Sequence, residues 1–138
     1  MPRPDKDLAD ALATALGAGF ARPPAAGANV FHGPVRPFGT GVPHKAIFCG
    51  PGAASPPVRQ FRGGEIRRAA VQIRSRADVG DFEASELLAR SVWDAIEFAT
   101  IAGYIQVQAV DSEPVSLGQD DQEHWEFVVN VELQYYDA

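Results

Sequence analysis

From His124 to Tyr136 the sequence alternates with a period of two. Trp125, Phe127, Val129, Val131, Leu133 and Tyr135 take one side. His124, Glu126, Asn130, Glu132 and Gln134 take the other, where only Val128 and Tyr136 are apolar. Successive strand side chains point to opposite faces, so this pattern requires a long strand with one face on a core. The other face meets water or a partner.

The residues before it build a unit around that strand. Ile66 to Arg76 reads as a strand with Ala69, Val71, Ile73 and Ser75 inward and Arg68, Gln72, Arg74 and Arg76 outward, a basic row. Gly80-Asp81 starts a helix capped by Asp81, with a buried stripe of Ala84, Leu87, Leu88, Val92, Ala95, Ile96 and Ala99. Trp93 borders that stripe and is expected to pack rather than stack on a ligand. Gly103 ends the helix, and Tyr104 to Val110 is a strand with Ile105, Val107 and Ala109 inward. Asp111 to Pro114 is a turn, after which Val115 to Leu117 extends or bulges the strand. A polar turn from Gly118 to Glu123 leads into the closing strand, antiparallel to its predecessor.

The N-terminal half is more broken. Asp5 to Gly17 reads as a helix capped by Asp5 and ended at Gly17 or Gly19, with Leu8, Ala11, Leu12, Ala15 and Leu16 on one face. Asn29 to Phe31 and Ala46 to Cys49 read as short strands. Residues 33–64 are dense in glycine and proline, which suits an extended arm that orders against a neighbour. Arg36, Lys45, Arg59 and Arg62 are its candidate contacts. The expected architecture is one α+β domain over 1–138: an antiparallel, mixed sheet of about four to five strands, two helices packed on it, and the arm.

Charge is split along the chain. Residues 1–76 hold eleven basic residues against four acids, a net of +7, and residues 77–138 hold one arginine against fourteen acids, a net of −13. Opposite halves can attract between copies or pair within one molecule. The overall balance of −6 and a pI near 4.9 argue against direct DNA binding, despite the arginines from 59 to 76. No apolar run is long enough to span a membrane, and the N-terminus lacks a secretory pattern. One cysteine, Cys49, allows no internal disulfide and is expected on a strand as a small apolar residue.

Chemical motifs are missing. Gly50 to Ser55 lacks the Lys-Ser/Thr of a phosphate loop, and no serine sits in a nucleophile elbow. His32, His44, His124 and Cys49 have no zinc spacing, and Asp120, Asp121 and Glu123 do not match a calcium loop. Asp111 and Glu113 flank a turn, where carboxylates are ordinary. The expectation is no enzyme, no cofactor and no metal.

Four segments carry a resemblance: Ala69 to Arg76, Ala89 to Ala95, Leu117 to Asp121 and Glu126 to Val131. Over residues 66–138 they resemble the tail terminator and minor capsid (neck) proteins of long-tailed bacteriophages. The resemblance implies a virion protein, assembled in the host cytoplasm. It would form a ring, usually of six copies, at the head-proximal end of the tail tube. Its partners would be further copies of itself, the tail tube protein and the head-completion proteins, with DNA passing through the lumen without specific binding. A head-to-tail ring needs two different complementary patches per copy, which the charge split could supply. Arg67, Arg68, Arg74 and Arg76 of one subunit are expected to meet Asp120, Asp121 and Glu123 of the next. The rival readings are another head-tail connector subunit and a small α+β module that binds a ligand or nucleic acid.

Overall fold

Seven strands form one mixed sheet, and two helices cover one of its faces, in a computed structural model that describes residues 3–33, 42–52, 58–59, 65–97 and 99–137. The elements are α1 (Pro4–Leu16), β1 (Val30–His32), β2 (Ala46–Pro51), β3 (Val58–Arg59), β4 (Glu65–Arg76), α2 (Phe82–Glu97), β5 (Gln106–Ala109), β6 (Val115–Gln119) and β7 (Trp125–Asp137). The main order is β1-β2-β4-β7-β5, with β3 on β4 and β6 on β7. The sheet is thus five positions wide, because β3 continues the row of β2 and β6 that of β5. Every pairing is antiparallel except β1 with β2.

The spine is β4 against β7, in register from Glu65 opposite Asp137 to Arg76 opposite Glu126. That register puts Ile73 opposite Val129 and Val71 opposite Val131, all buried beneath the helices. α1 lies over β1 and β2 and α2 over β7 and β5, so both strand and helix periodicities feed one core. Leu8 and Leu12 of α1 are fully buried there, as are Val92 and Ile96 of α2. A helix of 13 residues is marginal alone, so this burial holds α1 in place.

Asp81 caps α2 as expected, its Oδ1 accepting the Ala84 N–H at 2.9 Å. Other details differ. The cap position of α1 is Arg3 rather than Asp5, because Pro4 takes the first turn, where a missing N–H costs nothing. Leu87 is exposed and the buried stripe of α2 runs through Ser85, Leu88, Ala89, Val92 and Ile96, the side that meets the sheet. Ile105 is also exposed, since it precedes β5 and its strand begins only at Gln106. Within the expected arm, Ala46–Pro51 and Val58–Arg59 are strands. Residues 34–41, 53–57 and 60–64 lie outside the described ones.

Trp93 packs on the core, and its indole N–H donates to the Asp111 carbonyl at 3.0 Å. Asp111 Oδ2 in turn accepts from Asn130 Nδ2 at 2.9 Å. These bonds pin the loop that interrupts the outer row between β5 and β6. Cys49 is fully buried on β2, opposite Ile73, and burial pushes its thiol up to about 12. Raised above its unfolded value, the thiol contributes stability that is present below pH ~9 and lost as pH rises toward its folded value. Native protein at pH 8 is therefore expected to resist iodoacetamide and to label fully in denaturant, read by mass. Rapid labelling of the native chain would contradict this burial.

Candidate subunit interface

The β4 arginines divide by position along the strand. Arg76, the last residue of β4, keeps a side chain only 1% exposed; its Nη1 lies 3.6 Å from Asp120 Oδ2 and its Nη2 donates to the Pro43 carbonyl at 3.1 Å. This corrects the outward basic row: the face opposite the helices is closed at this end, where Ala46, Phe48, Glu126 and Val128 are buried as well. Arg74 donates to Gln72 Oε1 at 3.3 Å. Arg68 sits 3.8 Å from Glu132, and Arg67 pairs with Glu65 at 2.9 Å. Arg76 with Asp120 and Arg68 with Glu132 are thus ion pairs between the two halves within one chain.

Asp120 organises the turn between β6 and β7. Its Oδ1 accepts the N–H groups of Gln122 at 2.8 Å and His124 at 2.9 Å, while its own N–H donates to the His124 carbonyl at 2.9 Å. Glu123 takes a positive φ of 65° to close the loop. Burial raises the Asp120 carboxyl, but the backbone donors of His124 and Gln122 and the nearby imidazole outweigh it and hold the group below its ordinary value. His124 is buried, with Nε2 2.9 Å from His44 Nδ1, so one imidazole donates and the other accepts. The contact joins residues 80 apart in sequence, so no local spacing signals it. Among the described residues no group of three or more His, Cys, Asp or Glu is placed to hold a metal ion.

Asp121 and Glu123 remain exposed at the tip of that turn, without an ion pair among the described residues. The Gly80 N–H donates to the Glu123 carbonyl at 2.9 Å, which ties the tip to the start of α2. Asp78, Asp81 and Glu83 add three more exposed carboxylates there. Apolar side chains border these acids: Val79 and Phe82, with Val115 at 44% and Leu117 at 46% exposure along β6. Phe82 stands edge-on to Trp125, with ring centroids 5.0 Å apart. Four of the eight exposed large apolar residues lie on α2 or β6, and Ile105 and Val110 flank β5. The result is one acidic and apolar edge, built by α2, β6 and the turn after it.

The basic counterpart is only partly in view. Lys45 holds its ammonium 4.5 Å from the Phe20 ring centroid, a cation–π contact inside the fold. Arg36 and Arg62 lie outside the described residues, and of Arg59 only the backbone, in β3, is described. The pairs at Arg67, Arg68 and Arg76 consume much of the described positive charge. The acidic edge keeps its surplus.

A groove of about 940 Å³ lies between α1 and α2, with an apolar floor that includes Ala11, Ala15, Ala95 and Ile96. Two of its hydroxyls are bound to their own helices, Thr14 Oγ1 donating to the Asp10 carbonyl at 3.1 Å and Ser91 Oγ to the Leu87 carbonyl at 3.0 Å. No helix among the described residues is long and apolar enough to cross a membrane. The sequence matches no protein-family model and no curated protein.

Proposed function

We propose that this chain is a structural assembly subunit of the phage tail terminator type. Copies form a ring at the head-proximal end of a tail tube, stop tube polymerisation and present a surface to head-completion proteins. The observation that carries this reading is the acidic, apolar edge on α2, β6 and the β6–β7 turn. Exposed Asp78, Asp81, Glu83, Asp121 and Glu123, beside exposed Val79 and Phe82, have no ion pair among the described residues, while Glu113 next to Val115 shares Arg90 with Glu86. Such an edge suits a protein contact better than free solvent. A ring closed by rotation needs each copy to offer two unlike patches, and the charge split provides opposite signs on one chain.

The face opposite the helices suits a lumen. It carries Gln72, Asn130, Gln134, Gln106 and Gln108, with Arg68 facing Glu132. Amides and a paired arginine leave Arg74, which donates to Gln72, as the one cation on this face without an acid partner among the described residues, so passing phosphates find few contacts. Function here is geometric: a rigid two-layer wedge sets the ring's angle, and complementary edges lock neighbours together.

Light scattering on purified protein at low and high salt tests the reading. The expected result is a closed ring near six copies that loosens as salt screens its contacts. A ring indifferent to salt retains the ring and removes the ionic contact. A monomer under both conditions overturns the self-assembling ring.

A further inference from the structure

Four polar contacts form a closed circuit at the end of β4. The Pro43 carbonyl accepts from Arg76 Nη2 at 3.1 Å, and Arg76 Nη1 lies 3.6 Å from Asp120 Oδ2. Asp120 Oδ1 lies 3.4 Å from His124 Nδ1, and His124 Nε2 lies 2.9 Å from Nδ1 of His44, the residue after Pro43. The circuit ties the segment that leads into β2 to the end of β4 and to the β6–β7 turn. His44 is exposed, whereas His124 and Arg76 are buried. His124 Nδ1 makes no well-aligned hydrogen bond. It faces a carboxylate that stays ionised well into acid, since backbone donors hold Asp120 below its ordinary value.

That carboxylate fixes the protons of the pair. A neutral His124 keeps its hydrogen on Nδ1, because a lone pair there would face the negative charge of Asp120. Its Nε2 then accepts from His44 Nδ1–H. One added proton goes to His44 Nε2, the far nitrogen of the exposed residue, and makes the bond charge-assisted. A second proton must occupy His124 Nε2. Both facing nitrogens then carry hydrogens, and two charged rings stand with centroids 5.1 Å apart. Asp120 cannot offset both, because it already serves Arg76 and the N–H groups of Gln122 and His124. Of the other charges nearby, Glu126 on β7 is buried opposite Arg76, and Lys45 turns its ammonium to the Phe20 ring. Asp121 and Glu123 reach solvent from the turn, and β6 contributes no titratable side chain.

We infer that the His44–His124 pair is a proton-released latch, which holds the segment before β2 on the β6–β7 turn until both imidazoles are charged and then frees His44 to solvent. It acts whether or not the chain forms a ring. Imidazoles change charge between about pH 5 and 8, so acidification within that range is the trigger. Proton uptake belongs to the pair, and release follows the second uptake. The closed latch takes one proton where the unfolded chain takes two, so its contribution to stability rises with pH. Arg76 keeps its bond to Pro43, so release removes one of two holds on this segment and leaves the strand in place.

Urea unfolding of the parent, His44→Ala and His44→Asn, at one protein concentration and at pH ~7.5 and pH ~5, tests the latch. Alanine removes the contact at both pH values. Asparagine puts an amide where Nδ1 stood, which donates to a neutral imidazole or, turned over, accepts from a charged one, and does not titrate. At the higher pH the folding equilibrium constants of the parent and His44→Asn should exceed that of His44→Ala by about 3–10-fold. At the lower pH the parent should lose this advantage and His44→Asn should keep it. A parent with no advantage at pH ~7.5 overturns the latch, and one with an undiminished advantage at pH ~5 overturns its release. Loss of the asparagine variant's advantage alongside the parent's assigns the acid effect to another group and overturns the role of His44. Native mass, which judges the ring, enters none of these outcomes.

Discussion

Ile73→Ala should lower the unfolding free energy by about 3–5 kcal/mol, the largest loss expected from any single truncation on β4. Ile73 is fully buried at the centre of the sheet, opposite Cys49 on β2 and Val129 on β7. Strands on both sides and helices above prevent the site from collapsing around the missing carbons, so a cavity term adds to the lost transfer energy. Ile73→Val removes one methyl group and should cost about 0.5–1.5 kcal/mol. Urea unfolding monitored by circular dichroism measures both, with the slope unchanged and the midpoint lowered. An alanine variant within about 0.5 kcal/mol of the parent, the scale of a surface change, would show that β4 is not the packed centre.

Asp120→Ala should cost about 3 kcal/mol, which is large for a residue in a turn. The substitution removes the acceptor for the Gln122 and His124 N–H groups and the carboxylate facing the buried Arg76 guanidinium. Asp120→Asn keeps an oxygen in place and loses only charge, so it should cost less, about 1–2 kcal/mol. The pH dependence has a definite sign. The carboxyl is lowered on folding, so its contribution is present above its unfolded pKa of 3.8 and is lost as pH falls through the folded value. Parent protein should lose this increment in acid, and the alanine variant should show a flatter stability curve below pH ~4. Asp10, lowered mainly by its hydrogen bond with Lys6, adds to the same acid window in both proteins and cancels in the comparison. Equal acid sensitivity of parent and variant would remove Asp120 from the account.

Asp120 also marks a boundary between local and tertiary information. As a polar residue in a turn it reads as solvated, and its neighbours Asp121 and Glu123 are indeed exposed. What sets it apart is Arg76, which β4 brings alongside through its pairing with β7. No periodicity distinguishes Arg76 from Arg74, two residues earlier on the same side of the strand. One is buried beside the β6–β7 turn and the other is not. The same holds for His44 and His124, each unremarkable in sequence and joined only because β2 runs antiparallel to β4 beside β7.

The sequence by itself determined the elements whose signal is local. The alternation of β7, the inward set of β4, the Asp81 cap of α2 and the turn residues around Gly80 and Asp120 follow from side-chain periodicity and backbone preference. These forces act over a few residues. The α+β class follows from their order. Tertiary structure alone decided which way α2 rolls, exposing Leu87 and burying Ser85 and Ala89, because that depends on the surface the helix meets. It decided that β1 joins β2 in parallel and that β5 and β6 share one row, since pairing over long separations is set by the register of the whole sheet. It also turned a uniform row of arginines into one buried clasp and a few surface pairs. Burial of charge is governed by the partner across the fold, and neighbours in sequence do not specify that partner.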